Sequence, residues 1–111
     1  MNNTAQMRKG LLELAVLLVI GSNDKVYTNE ILSKLEASEL LVVEGTLYPL
    51  LGRLKDEGLV LYAWEESPHG PPRKYYSLTE HGKNSIKAMR TEWQKLTQSI
   101  STLEQAYDQH R

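Results

Sequence analysis

The run from Gly45 to Trp64 constrains the fold more than any other part of the chain. Leu47, Leu50, Leu51 and Leu54 recur at helical spacing and form one apolar face. The opposite face carries Thr46, Tyr48, Arg53 and Lys55, which hydrogen-bond, stack and bring positive charge. Gly58 suits the left-handed conformation that ends a helix. Leu59-Val60-Leu61-Tyr62-Ala63-Trp64 then changes to strand composition. A polar-faced helix running straight into a hairpin is how a winged helix presents a reading helix beside its wing, the helix entering the major groove of duplex DNA. The expected fold class is mainly α with a two-stranded β wing.

Glu65 to Pro72 is expected to be a loop, because its prolines fix φ and remove backbone donors. Arg73-Lys74-Tyr75-Tyr76-Ser77-Leu78 then returns as a strand, and Thr79 is placed to cap the next helix.

These segments together resemble one known family. Gly45-Thr46-Leu47-Tyr48-Pro49-Leu50-Leu51, Arg53-Leu54, Gly58-Leu59-Val60, Gly70-Pro71-Pro72-Arg73-Lys74-Tyr75-Tyr76, and Leu78-Thr79-Glu80 with Gly82 resemble the PadR-like transcriptional regulators. The resemblance runs from about Leu11 to the C-terminus. It implies a winged helix-turn-helix with a long C-terminal dimerisation helix, and a homodimer that binds an operator. Val43 departs from it, since a polar cap usually stands before the third helix in this family. Short members that end at this last helix can hold flat apolar compounds between paired tryptophans at the dimer interface, and Trp93 matches that position.

A first helix is expected from about Ala5 to Ile20, after a polar, frayed start over residues 1–5, and to stop at Gly21-Ser22-Asn23-Asp24. Its last ten residues are apolar almost all round, so burial on more than one side is expected. Thr28 is the expected cap of a second helix with Ile31, Leu32 and Leu35 inward, without a full capping box. Glu36 to Leu41 reads equally as helix or as turn. The third helix starts either after Val43 or at a Thr46 cap, which would put Pro49 in its first turn. In the last helix Ile86, Met89, Trp93, Leu96, Ile100, Leu103 and Tyr107 alternate spacings of three and four, a narrow seam over about three heptads. From Thr79 to Tyr107 it would be about 43 Å long. The chain divides into a winged-helix part, 1–78, and a dimerisation helix, 79–111, in one compact unit. Ile86, Met89, Trp93, Leu96, Ile100 and Leu103 are the expected dimer contacts.

Each sharp reading has a plainer one beside it. Thr46, Tyr48, Arg53 and Lys55 are either DNA contacts or a solvated helix face, with Arg53 and Lys55 suited to phosphates or guanine edges. Arg73 and Lys74 either touch the DNA backbone or guard a strand edge. Glu65 and Glu66 would repel phosphate, so the wing should contribute unequally along its length. Trp93 is either a seam residue or, with Leu14, Leu17 and Met89, part of the lining of a small aromatic ligand site. Trp64 reads as wing or core packing.

Composition excludes several classes. The 111 residues make one domain large enough for a core without staples. There is no Cys, so neither a disulfide nor a thiolate zinc site forms, and His69, His81 and His110 lack ligand spacing. The net charge of −1 means that any DNA contact comes from a local cluster. Arg8-Lys9 ahead of Leu11–Ile20 superficially resembles a signal peptide, but Glu13 interrupts the run, which is too short to span a bilayer. A buried helix, no membrane and a cytoplasmic address are expected. No phosphate loop, carboxylate pair or nucleophile with its base is present, so an enzyme is not expected, nor a cofactor or metal. The expected function is a sequence-specific DNA-binding regulator, a repressor. The alternatives are a winged-helix protein-interaction module, kept open by the near-neutral charge, and a ligand-carrying interface protein.

Overall fold

The computed structural model describes residues 3–40 and 42–110; residues 1 and 2 of the expected frayed start, Leu41 and Arg111 lie outside them, and residues 3–5 of that start are helical instead. The chain runs α1 (Asn3–Lys9), α2 (Leu12–Gly21), β1 (Val26–Tyr27), α3 (Thr28–Ala37), α4 (Glu44–Asp56), β2 (Val60–Ser67), β3 (Gly70–Leu78) and α5 (Glu80–His110). This is the mainly α fold with a β wing and a long last helix.

The expected first helix is in fact two. The chain turns at Gly10-Leu11, where the Leu11 N–H donates to the Arg8 carbonyl at 3.0 Å. Glycine inside a helix carries the largest backbone entropy cost, and the break falls there. α2 is apolar on several sides because it is packed on several sides, against α3, β3 and α5, while Leu18 stays 41% exposed. Val16, Leu17 and Ile20 are fully buried in it.

α3 begins at Thr28 itself, so Thr28 is the first helical residue and Tyr27 holds the cap position. Glu30 then stands three residues past the cap and accepts the Tyr27 N–H at 3.1 Å. The helix ends at Ala37, which resolves the ambiguous stretch after it as a turn over its described residues. Glu39 takes a left-handed conformation, φ 63°, and the Leu40 N–H reaches back to the Leu35 carbonyl at 2.8 Å.

α4 starts at Glu44 with Val43 at its cap and no side-chain cap bond. The Thr46 alternative is thereby set aside, and Pro49 lies in the second turn, where it leaves the Gly45 carbonyl without its helical partner. Gly58 ends the helix as expected. It has φ +77°, its N–H donates to the Lys55 carbonyl, and the Leu59 N–H donates to the Leu54 carbonyl at 2.9 Å.

The hairpin is longer than expected. Strands extend to Ser67 and from Gly70, leaving only Pro68-His69 as the turn, so the predicted loop from Glu65 to Pro72 is mostly strand. Pairing of Glu65 with Arg73 and of Ser67 with Gly70 leaves Pro71 and Pro72 opposite the single residue Glu66. The prolines are therefore the bulge, where a missing donor is tolerated. A third strand joins the expected two: β1 pairs with β3 through Val26–Tyr76 and Tyr27–Tyr75, giving the order β1-β3-β2.

Thr79 caps α5 as expected. Its hydroxyl accepts the Gly82 N–H at 2.9 Å and donates to the Gly58 carbonyl at 2.7 Å. Gly82 is buried because the helix passes directly over the Leu59 backbone ahead of β2 and the Leu78 side chain at the end of β3; a Cβ there would stand 2.2 Å from the Leu59 carbonyl oxygen. Ile86 and Met89 still pack on the core. From Arg90 to His110 every residue except Ser101 is exposed. The helix carries the molecule to 61 Å in its longest dimension, against 29 and 20 Å in the others.

Candidate nucleic-acid interface

α4 presents three sides. Leu47, Leu51 and Leu54 are fully buried and fix the rotation of the helix on the core. The remaining surface has two flanks separated by Gly45, Pro49 and Gly52, which are exposed and small; a Cβ at either glycine would meet nothing within 4 Å. The six residues expected to touch DNA fall on different sides of this strip.

Tyr48, Arg73 and Lys74 come together. They line one groove with Trp64 and Pro72 of the hairpin and with Tyr27, Thr28 and Asn29 at the start of α3. Tyr48 is half exposed there, at 51%. Lys55 belongs to the same flank. Its ammonium lies 5.8 Å from the Tyr62 ring, and Lys74 lies 4.2 Å from the same ring and 5.4 Å from Trp64. Tyr62 pairs with Tyr76, and Trp64 with Lys74, so period-2 alternation puts these aromatics and the lysine on one face. Cations resting on ring faces are held in place by the ring quadrupole while their charge stays in water. Burial pushes the Tyr76 phenol upward, and Tyr62 and Tyr48 add to it.

Thr46 and Arg53 lie on the other flank. Thr46 borders an apolar cleft of about 390 Å³ between α1, α2 and the turn before α4, with Leu11, Leu12, Val42 and Val43. The Arg53 guanidinium bonds Glu13 of α2 at 2.8 Å and Glu57, just past the end of α4, at 2.8 Å. The Glu13 hydrogen bond, foremost, raises its pKa further. Arg53 therefore ties α4 to α2.

Arg73 stacks on Tyr27, 4.4 Å from the ring centroid, on the side of the sheet that also holds Lys25. Lys25 pairs with Glu65 at 2.6 Å, and this bond raises the lysine's pKa. Of the two acids expected to disturb the wing, Glu65 is thus neutralised within the fold, whereas Glu66 is exposed. Tyr62, Lys25 and Glu13 were not legible as site residues, although the alternation of Tyr62 with Trp64 marks one strand face. Trp64 is 63% exposed and belongs to the wing, not to the core.

The expected seam residues form a continuous exposed stripe on α5: Trp93 at 42%, then Leu96, Ile100, Leu103 and Tyr107. Ile86 and Met89 are half-buried against the chain's own core at the start of that stripe. Of the suggested ligand-lining residues, Leu14 is half-buried, but Leu17 is wholly enclosed in the core and has no surface to offer. Leu17 is removed from that set.

A family model described as the transcriptional regulator PadR-like family matches residues 16–88, from α2 through the wing to the first turns of α5. The chain belongs to the PadR-like family. As a PadR-like protein it is a DNA-binding transcriptional regulator and not an enzyme. It is similar to the structure of a PadR-like transcription factor from Bacteroides fragilis, with 43% identity, 93% of this chain and 99% of that one covered, and a TM-score of 0.76. A PadR-like transcriptional regulator from Bacillus cereus is 33% identical over 88% of this chain and 95% of that one, with a TM-score of 0.77. A Streptococcus transcriptional regulator is 32% identical over 89% of this chain and 97% of that one, with a TM-score of 0.78. No curated protein matches the chain. No helix among the described residues is long and apolar enough to cross a membrane.

Proposed function

We propose that this PadR-like regulator is a cytoplasmic homodimeric repressor that binds a pseudo-palindromic operator. The observation that carries the reading is the shared groove of Tyr48, Arg73 and Lys74, in which the exposed side of α4 and these two cations of the hairpin border one space. Residues 1–78 supply the DNA-binding unit and residues 79–111 the dimerisation helix. Tyr48, Lys55 and Thr46 meet base edges or the adjoining backbone, and the bare strip of Gly45, Pro49 and Gly52 lets α4 approach closely. Arg73 and Lys74 hold phosphates. Arg53 sets the angle of α4 on α2 and meets DNA from the far flank. Ile86, Met89, Trp93, Leu96, Ile100 and Leu103 form the two-fold seam; an exposed leucine stripe at this spacing is stabilised by a second helix.

The effector reading rests on Trp93. A two-fold axis along α5 brings it towards Trp93 of the partner subunit, and a planar aromatic compound between the indoles gains stacking, with Leu14 and Met89 beside it. Such a ligand alters DNA affinity only as far as it prefers one splay of the two subunits. Retention of genomic fragments by the protein, followed by titration of the retained duplex over a salt series, tests the reading. Specific, salt-sensitive retention is expected. Equal retention of all fragments would instead favour a protein-interaction role.

A further inference from the structure

We infer that Glu44 is a specificity-determining residue that selects cytosine at one position of each operator half-site. The inference rests on the DNA-binding reading above and deepens it. Glu44 is the first residue of α4 and is exposed. It stands one turn before Tyr48, so the two share a side of the helix. The N-terminal residues of the reading helix are those that reach base edges in helix-turn-helix proteins.

On and around α4 the other acids are occupied, while Glu66 on the wing is exposed and has no such pairing among the described residues. Glu13 and Glu57 hold Arg53, Glu65 holds Lys25, Asp56 lies 3.9 Å from Lys55, and Glu30 accepts the Tyr27 N–H. Glu44 has no such partner among the described residues. An unneutralised carboxylate at the groove-facing end of this helix works against phosphate attraction everywhere along DNA. It is compensated only where a donor meets it.

The major groove limits which donors those are. A carboxylate offers acceptors alone. Guanine presents N7 and O6, both acceptors, and thymine presents O4 and a methyl group. Adenine presents its N6 donor beside the N7 acceptor, so one carboxylate oxygen would face a lone pair. Cytosine N4 is the donor without a neighbouring acceptor on its own base edge. Glu44 thus attracts one base and repels the rest. Such a device raises specificity while lowering affinity for bulk DNA.

A glutamate in the first turn also stabilises a helix through its dipole, so the test must read base preference as well as stability. Site selection from a randomised duplex library compares the full-length protein with Glu44→Gln and Glu44→Ala, each confirmed folded by thermal melting. The unmodified protein is expected to prefer cytosine about tenfold at one position per half-site, the order of a single base contact. Glu44→Gln should move that position to adenine, whose N6 and N7 match an amide, and Glu44→Ala should flatten it. Both should bind random duplex more tightly. Unchanged base preference at every position in both variants would overturn the assignment, even with tighter overall binding. Failure of the unmodified protein to select any sequence would instead overturn the DNA reading beneath it.

Discussion

The winged-helix body and the outer two-thirds of α5 are built on opposite terms. In the body, α2, α3, α4 and the sheet share one core, and ten side chains among the described residues are fully enclosed in it. Its helix ends are closed by internal bonds at Glu39, Gly58 and Thr79. Beyond Met89, α5 has equally good helical periodicity but no enclosed side chain. Local pattern alone is therefore no guide to self-sufficiency. The body satisfies its apolar surface within the chain; the seam leaves it facing solvent, where a second subunit would remove it from water.

The contrast can be broken most forcefully from the body side. Leu51→Ala should cost about 3 kcal/mol of unfolding free energy, because a fully enclosed leucine leaves a cavity. Gly82→Ala should cost about 2 kcal/mol, since the Leu59 backbone it strikes, held between α4 and β2, cannot yield easily. Chemical denaturation measures both, and losses under 1 kcal/mol would mean that the core is far looser than its packing suggests.

The same substitution in the seam should behave differently. Leu96→Ala or Leu103→Ala should weaken the dimer by about 2 kcal/mol, the order of one leucine's burial. Helix content and the melting of the separated chain should hardly change. Sedimentation across micromolar concentrations, with circular dichroism alongside, distinguishes the two. A variant that unfolds without first dissociating would erase the distinction between the two regions.

Within the body, the wing offers a finer comparison. Arg73→Ala and Lys74→Ala should each weaken binding to every duplex and flatten the salt dependence by about one unit. Lys25→Ala should change the slope less, because its charge is already paired with Glu65. Equal slopes for all three would show that ion pairing within the fold does not decide which cations meet DNA.

The smallest expected effect is a gain. Glu39 holds a left-handed conformation at the end of α3, where glycine has no Cβ penalty. Glu39→Gly should stabilise the fold by about 0.5 kcal/mol, the relief of strain exceeding the greater freedom of glycine in the unfolded chain. A loss would mean that the Glu39 side chain contributes more than its backbone costs.

Most features set by neighbouring residues were legible in the sequence, the break at Gly10 and the Tyr27 cap being the local exceptions. Gly58 closing α4, Thr79 capping α5, the leucine face of α4 and the long apolar stripe of α5 all follow from spacing and backbone preference. Features set by distant residues were not. β1 is two residues long and exists because β3 offers it an edge. The prolines at 71 and 72 suggested a loop, yet a bulge accommodates them inside a strand. Arg53 looked like a free cation because its partner Glu13 lies on another helix. Leu17 looked available for a ligand because nothing in a uniformly apolar run says which side meets the core.

Stoichiometry and salt dependence, read together on one selected genomic duplex, test the central claim most directly. Two chains per duplex are expected, with the logarithm of affinity falling linearly with that of salt and a scrambled duplex bound far more weakly. One chain per duplex, or equal affinity for the selected and scrambled sequences, would contradict a dimeric operator-binding regulator.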